Sequence, residues 1–174
     1  IGVPLTLLQL KKEHKIGIIE MGASKIGDIK ELAQIACPTH GIITNIGKAH
    51  LEGFGSIENI KKTKLELYDF IIANKGEIIV NNEDDILKKR IPSFIKQFTY
   101  GTSSGDIIGK IIAYKPTIDT FVDFNEKEII NINTALLGSY NLLNILAAAS
   151  TGKVFGISNI LIGQSIENYL PKNN

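Results

Sequence analysis

The chain has 174 residues, enough for one domain with a hydrophobic core and a small appendage. Hydrophobic residues make up 44% and charged residues 21%, the profile of a globular chain; the formal net charge of +1 gives no field to draw nucleic acid or an acidic membrane surface. One cysteine, Cys37, allows no intramolecular disulfide and no cysteine zinc site, and no apolar run approaches the ~20 residues that span a bilayer.

The chain opens on IGVPLTLL, without Met or a signal-peptide layout, and ends on YLPKNN, so a piece of a longer protein is expected. Pro4 suits the first turn of a short helix through Leu10. Residues 16–20 (IGIIE) read as a buried parallel strand ending in an acid. After the loop Gly22-Ala23-Ser24, a helix is predicted over 28–36 and stopped by Pro38. Residues 41–45 form the next strand, Ser56 caps a long helix to about Ala73, and 77–81 (EIIVN) form a third strand. A helix over 84–90 and a short strand over 98–101 follow. This alternation predicts an α/β fold with a mostly parallel sheet flanked by helices.

The pattern changes after Gly101. Runs at 107–114, 118–124 and 128–135, the last two joined by the turn Asn125-Glu126-Lys127, predict a small antiparallel β-meander, a subregion spanning 105–137. Helices over 141–155 and 158–169 close the chain.

Residues able to do chemistry gather at strand ends, where open α/β sheets hold their ligands. Glu20 ends the first predicted strand and offers the hard oxygen that magnesium prefers; otherwise it caps the following loop. The stretch GIITNIGKAHLEGFGS delivers Asn45 at the end of the second strand and then His50, a candidate metal or phosphate residue, with Glu52 able to hold the loop instead. The Gly53-Phe54-Gly55 turn shapes that loop and lacks the Lys-Ser/Thr of a phosphate loop. On the following helix Ile57, Ile60, Leu67 and Ile71 recur at helical spacing and Lys64 falls in line with them. A lysine there snorkels or loses its charge, and a neutral amine can take up carbon dioxide as a carbamate; spacing leaves Lys61 as an alternative. Asn141 and Asn144 open the helix after Gly138-Ser139-Tyr140. One is explained as an N-cap; the other offers the donor and acceptor that match the edge of adenine. Asn81, followed by Glu83, Asp84 and Asp85, is a further candidate for the nucleotide side, with turn chemistry as its plainer role. His14 and His40 have no supporting constellation, and Cys37 reads as a small packed residue.

The segments GVPLTLL, IIEMGAS, TNIGKAHLEGFGS, TKLEL and GSYNLLNILAAA occur in the order found in the central ATP-binding domain of the Mur ligases, and the chain resembles that family over nearly its whole length. The resemblance implies a phosphate-loop NTPase-like fold over 1–174 that lacks its first β-α unit. It implies a cytoplasmic bacterial ligase, monomeric, that uses ATP and Mg2+ to join D-alanyl-D-alanine to UDP-N-acetylmuramoyl-tripeptide in peptidoglycan synthesis. By match, Glu20 and His50 would hold magnesium, Lys64 would be the carbamylated lysine of the second magnesium, and Asn141 and Asn144 would lie near adenine, with Asn45 and Asn81 also on the nucleotide side. The family's Gly-Lys-Thr phosphate loop is expected before Ile1 and an arginine after YLPKNN, so the chain alone is expected to be inactive. Tyr140 stands where many relatives have histidine. A folylpolyglutamate synthase-like amide ligase, or a non-catalytic nucleotide-binding module, are the alternatives.

Overall fold

The computed structural model describes residues 2–47, 54–125 and 128–171. They divide into two compact units, residues 1–78 with 90–96 and residues 79–89 with 97–174.

The first unit contains α1 (Gly2–Leu8), α2 (Asp28–Ala36), β1 (His40–Ile42), α3 (Ile57–Ala73) and the start of β2 (Glu77–Asn81). Helix α2 ends where Cys37 turns left-handed at φ 47 and returns its N–H to the Ala33 oxygen, and Pro38 then prevents continuation. Helix α3 starts where Ser56 Oγ accepts the Asn59 N–H at 3.2 Å. Its buried residues are Ile60, Thr63, Tyr68 and Ile71, and the helix packs on α2 and on β1. Gly41 permits the close approach to β1, because a Cβ there would lie 2.9 Å from Ile71 Cγ1.

The second unit holds the rest of β2, then α4 (Asp85–Arg90), β3 (Gln97–Gly101), β4 (Ile107–Lys115), β5 (Thr117–Asp123), β6 (Ile129–Leu137), α5 (Asn141–Val154) and α6 (Asn159–Glu167). The hydrogen-bonded strand order is β1-β2-β3-β4-β5-β6. The bonds Ile78 N–H to Lys96 O and Asn82 N–H to Tyr100 O advance together along β2 and β3, so these strands are parallel. Strand β4 pairs parallel to β3 at Tyr100–Ile107 and Gly101–Ile108, and antiparallel to β5, which is antiparallel to β6. The α/β class and the antiparallel meander are therefore present, and the meander continues the same sheet. Every residue of β2 is buried, as a strand covered on both faces requires, whereas β5 buries alternate residues. Helix α5 lies on β3 and β4, and α6 on β6.

Two predicted elements are corrected. The strand expected over 41–45 is confined to His40–Ile42, so Asn45 lies three residues past its end. Residues 16–20 are not a strand, and Ile18 is 80% exposed. A lone extended run forms a strand only where a neighbour takes its main-chain N–H and C=O groups. Among the described residues, no main-chain hydrogen bond of that kind involves 16–20. The turn residues Glu126 and Lys127 lie outside the described residues.

Candidate functional site

In the first unit the informative contact is between Lys64 and Asn45. The lysine is half-buried beside the packed seam of α3, and its Nζ donates to the Asn45 main-chain oxygen at 2.7 Å, just beyond the end of β1. Burial holds the Lys64 amine below its usual value. Lys61 instead faces Glu58 at 3.4 Å one turn away, so Lys64, not Lys61, reaches the strand end. The seam is also shifted from the predicted stripe: Thr63 is buried, while Ile57 is 45% exposed. The Asn45 side chain turns back, its Oδ1 accepting the Gly47 N–H at 3.1 Å.

Glu20 is exposed, and its carboxylate makes no hydrogen bond or ion pair among the described residues. His50 and Glu52 lie outside those residues. Among them no three His, Cys, Asp or Glu side chains converge on one point. The donor chemistry still suits magnesium: Glu20 is an unengaged carboxylate, and a carbamate on Lys64 would supply two further hard oxygens.

In the second unit Asn141 and Asn144 are joined. Asn144 Nδ2 donates to Asn141 Oδ1 at 3.0 Å, and Asn141 Nδ2 donates to the Leu137 oxygen at 2.8 Å. Neither is an N-cap, because Tyr140 occupies that position without a side-chain cap bond; this corrects the capping role expected for one of them. The pair opens on a cleft of about 590 Å3 walled by Tyr140, Ile145, Ala148 and Ile157. Apolar walls beside one paired amide edge fit a flat heteroaromatic base. Asn81 is buried, and its Oδ1 accepts the Glu83 N–H at 3.0 Å in a side-chain turn.

Three carboxylates take roles that the sequence did not assign them. Glu83 accepts from the N–H and hydroxyl of both Thr102 and Ser103 at 2.7 to 2.8 Å, which fixes the turn between β3 and β4. Burial raises its pKa, but the Ser103 and Thr102 bonds outweigh burial and hold it below the usual glutamate value. Glu77, at the start of β2, takes Lys96 Nζ at 2.7 Å and lies 3.7 Å from His40 Nε2, beside a cleft of about 500 Å3. His40 therefore has a constellation, while His14 is the loop residue expected, its Nδ1 accepting the Lys11 N–H. Glu66 accepts the N–H groups of Gly27 and Lys30. Each of these partners is distant in sequence, so no local spacing announces them.

A family profile described as the Mur ligase middle domain matches residues 1–152. The chain is 36% identical over 153 residues to a UDP-N-acetylmuramoyl-tripeptide–D-alanyl-D-alanine ligase from Haemophilus influenzae, covering 86% of this chain and 33% of that protein. It is 32% identical over 177 residues to the protein of the same name from Synechocystis, covering 99% and 36%. Among solved structures, MurF from Acinetobacter baumannii superposes with a TM-score of 0.86 at 27% identity, over 99% of this chain and 38% of that one. MurF from Thermotoga maritima in complex with ADP gives 0.81 at 28% identity, over 98% and 40%. The chain thus spans about a third of the length of these curated relatives.

Proposed function

The chain belongs to the Mur ligase middle-domain family, and on that premise we propose that it is the nucleotide-handling part of an ATP-dependent ligase that joins D-alanyl-D-alanine to UDP-N-acetylmuramoyl-tripeptide in peptidoglycan synthesis. The observation that carries the reading within this chain is the half-buried Lys64 with its amine at the Asn45 oxygen. The names of the relatives supply the substrates, and the ADP complex of the Thermotoga protein supplies the nucleotide.

The reaction has two stages. A carboxylate oxygen of the peptide attacks the γ-phosphorus of ATP, ADP leaves, and an acyl phosphate results. The dipeptide amine then adds to the acyl carbon, loses its proton, and phosphate departs to leave an amide. Both stages depend on charge neutralisation and positioning. Magnesium, when bound, neutralises charge on the phosphate oxygens. Glu20, His50 and Lys64 are the residues proposed to hold it. Burial keeps a larger fraction of Lys64 as free amine, which adds carbon dioxide and releases a proton to give the carbamate. Asn144 presents its Oδ1 and its second N–H to the amino group and ring nitrogen of adenine, and Asn141 fixes the orientation of that amide. Asn45 and Asn81 serve the nucleotide side by shaping the loops after β1 and β2.

No Gly-Lys-Ser/Thr phosphate loop occurs within the 174 residues, so this chain alone should release no phosphate from ATP. The test is phosphate release by the full-length protein with ATP, Mg2+, tripeptide nucleotide and dipeptide. Release that requires both substrates supports the reading. Release with folate and glutamate instead would move the assignment to a folylpolyglutamate synthase-like ligase, and ATP binding without turnover on either set would make the chain a binding module.

A further inference from the structure

We propose that Glu66 is a positioning residue for the metal-holding part of the site; this rests on the reading of Glu20 and Lys64 given above. Glu66 lies two residues after Lys64 on α3 and is half-buried. Its Oε1 accepts the Gly27 N–H at 2.7 Å and its Oε2 accepts the Lys30 N–H at 2.9 Å. These are first-turn amides of α2, which no intrahelical carbonyl can satisfy, and a carboxylate is favoured at that positive end. The local N-cap position is Gly27, which has no side chain to do this. Among the described residues Glu66 forms no ion pair with lysine or arginine. Its charge is thus spent on main-chain groups 36 to 39 positions away.

The fixation continues toward Glu20. Asp28, in the first turn of α2, accepts the Ser24 N–H at 2.8 Å, the Ser24 hydroxyl at 3.1 Å and the Lys25 N–H at 3.0 Å. Ser24 is four residues past Glu20, in a stretch with no helix or strand of its own. Helix α3 therefore makes two attachments within two residues: Lys64 to the end of β1, and Glu66, through α2 and Asp28, to the segment carrying Glu20. Without the second attachment, the segment that carries Glu20 would lose its tie to the helix that carries Lys64. Groups that bond a metal ligand directly change metal affinity by about 10- to 100-fold, and Glu66, which acts one step further out, is expected at the low end of that range.

The experiment measures Mn2+ affinity of the full-length protein calorimetrically, for the wild type and for Glu66→Ala, Glu66→Asp and Glu66→Gln, with thermal melts of each. Glu66→Asp keeps the charge but shortens the reach, so it separates placement from electrostatics. Asp69→Asn removes a carboxylate of α3 that pairs with Arg90 at the end of α4, and serves as the structural control. The expected result is Mn2+ binding weakened about tenfold in both Ala and Asp variants, less in Gln, and unchanged in Asp69→Asn. Wild-type affinity in the folded Asp and Gln variants overturns the proposal, whatever their melting temperatures. Should Glu66→Ala not fold, the other two variants decide. A wild-type protein that binds no Mn2+ overturns the metal reading itself, and this inference with it.

Discussion

Lys64 reaches the main-chain oxygen of Asn45 at 2.7 Å, which ties helix α3 to the chain leaving β1 and holds a lysine amine partly out of water. An amine so placed titrates below an exposed lysine, so its neutral form persists to lower pH. Under 13C-labelled carbon dioxide the full-length protein should show a carbamate carbon signal that Lys64→Arg lacks, and the variant should lose at least about 100-fold in ligation rate. Arginine can occupy the space and keep a donor for Asn45, but its guanidinium stays protonated and forms no carbamate. Identical carbon spectra for the two proteins would remove the carbamate from the account.

The amide pair on α5 makes a separate prediction. Asn144 is held by Asn141, so its remaining donor and acceptor face a fixed direction. Replacing Asn144 by alanine should weaken ATP binding about tenfold, one amide-to-base pair being worth ~1–3 kcal/mol. Asn141→Ala should cost less, because it loosens the amide without removing it. Equal ATP affinities for wild type and Asn144→Ala, measured by calorimetry, would place adenine elsewhere.

The regular elements were legible because local rules decide them. Ser56 followed by an amphipathic run marks α3, and EIIVN bounded by glycine and acids marks β2 at the residues observed. The run at 16–20 reads as a strand by composition but depends on a partner that composition cannot supply. The same division applies to the site. Lys64 stood out because a cation interrupts an apolar stripe. Glu66 and Glu83 are ordinary surface acids in the sequence, and their roles come from main-chain N–H groups that tertiary folding brings to them.

Glu83 gives the acid limb of stability. Its folded pKa is lowered, so its contribution is fully present above the unfolded value and is lost as pH falls through the folded one. That window lies below about pH 4.3, the ordinary glutamate value. Glu83→Gln keeps one acceptor for the Thr102–Ser103 turn but not the charge. It should cost about 1 kcal/mol at neutral pH, a small figure because the residue is largely exposed, and converge with wild type in acid. Urea melts between neutral pH and about pH 3 read this directly; parallel curves would mean that the turn does not depend on the ionised carboxylate.

Tyr100 governs the alkaline side. Its ring is fully buried, its hydroxyl has no hydrogen-bond partner among the described residues, and burial together with the charge of Asp84 pushes its pKa up to about 12. A phenol pKa raised in the folded state means that the folded protein keeps a proton the unfolded chain releases. The stability this adds is complete below about pH 10 and is lost between about pH 10 and about pH 12. Tyr100→Phe removes both the titrating group and an unpaired buried hydroxyl. At neutral pH the variant should be as stable as wild type or more stable by up to about 1 kcal/mol, since no hydrogen bond is given up. Above about pH 10, the part of the alkaline loss that comes from Tyr100 should vanish. Thermal melts at neutral and alkaline pH compare the two proteins. A neutral-pH loss beyond about 2 kcal/mol would show that the hydroxyl is engaged in solution, and the alkaline prediction would fall with it.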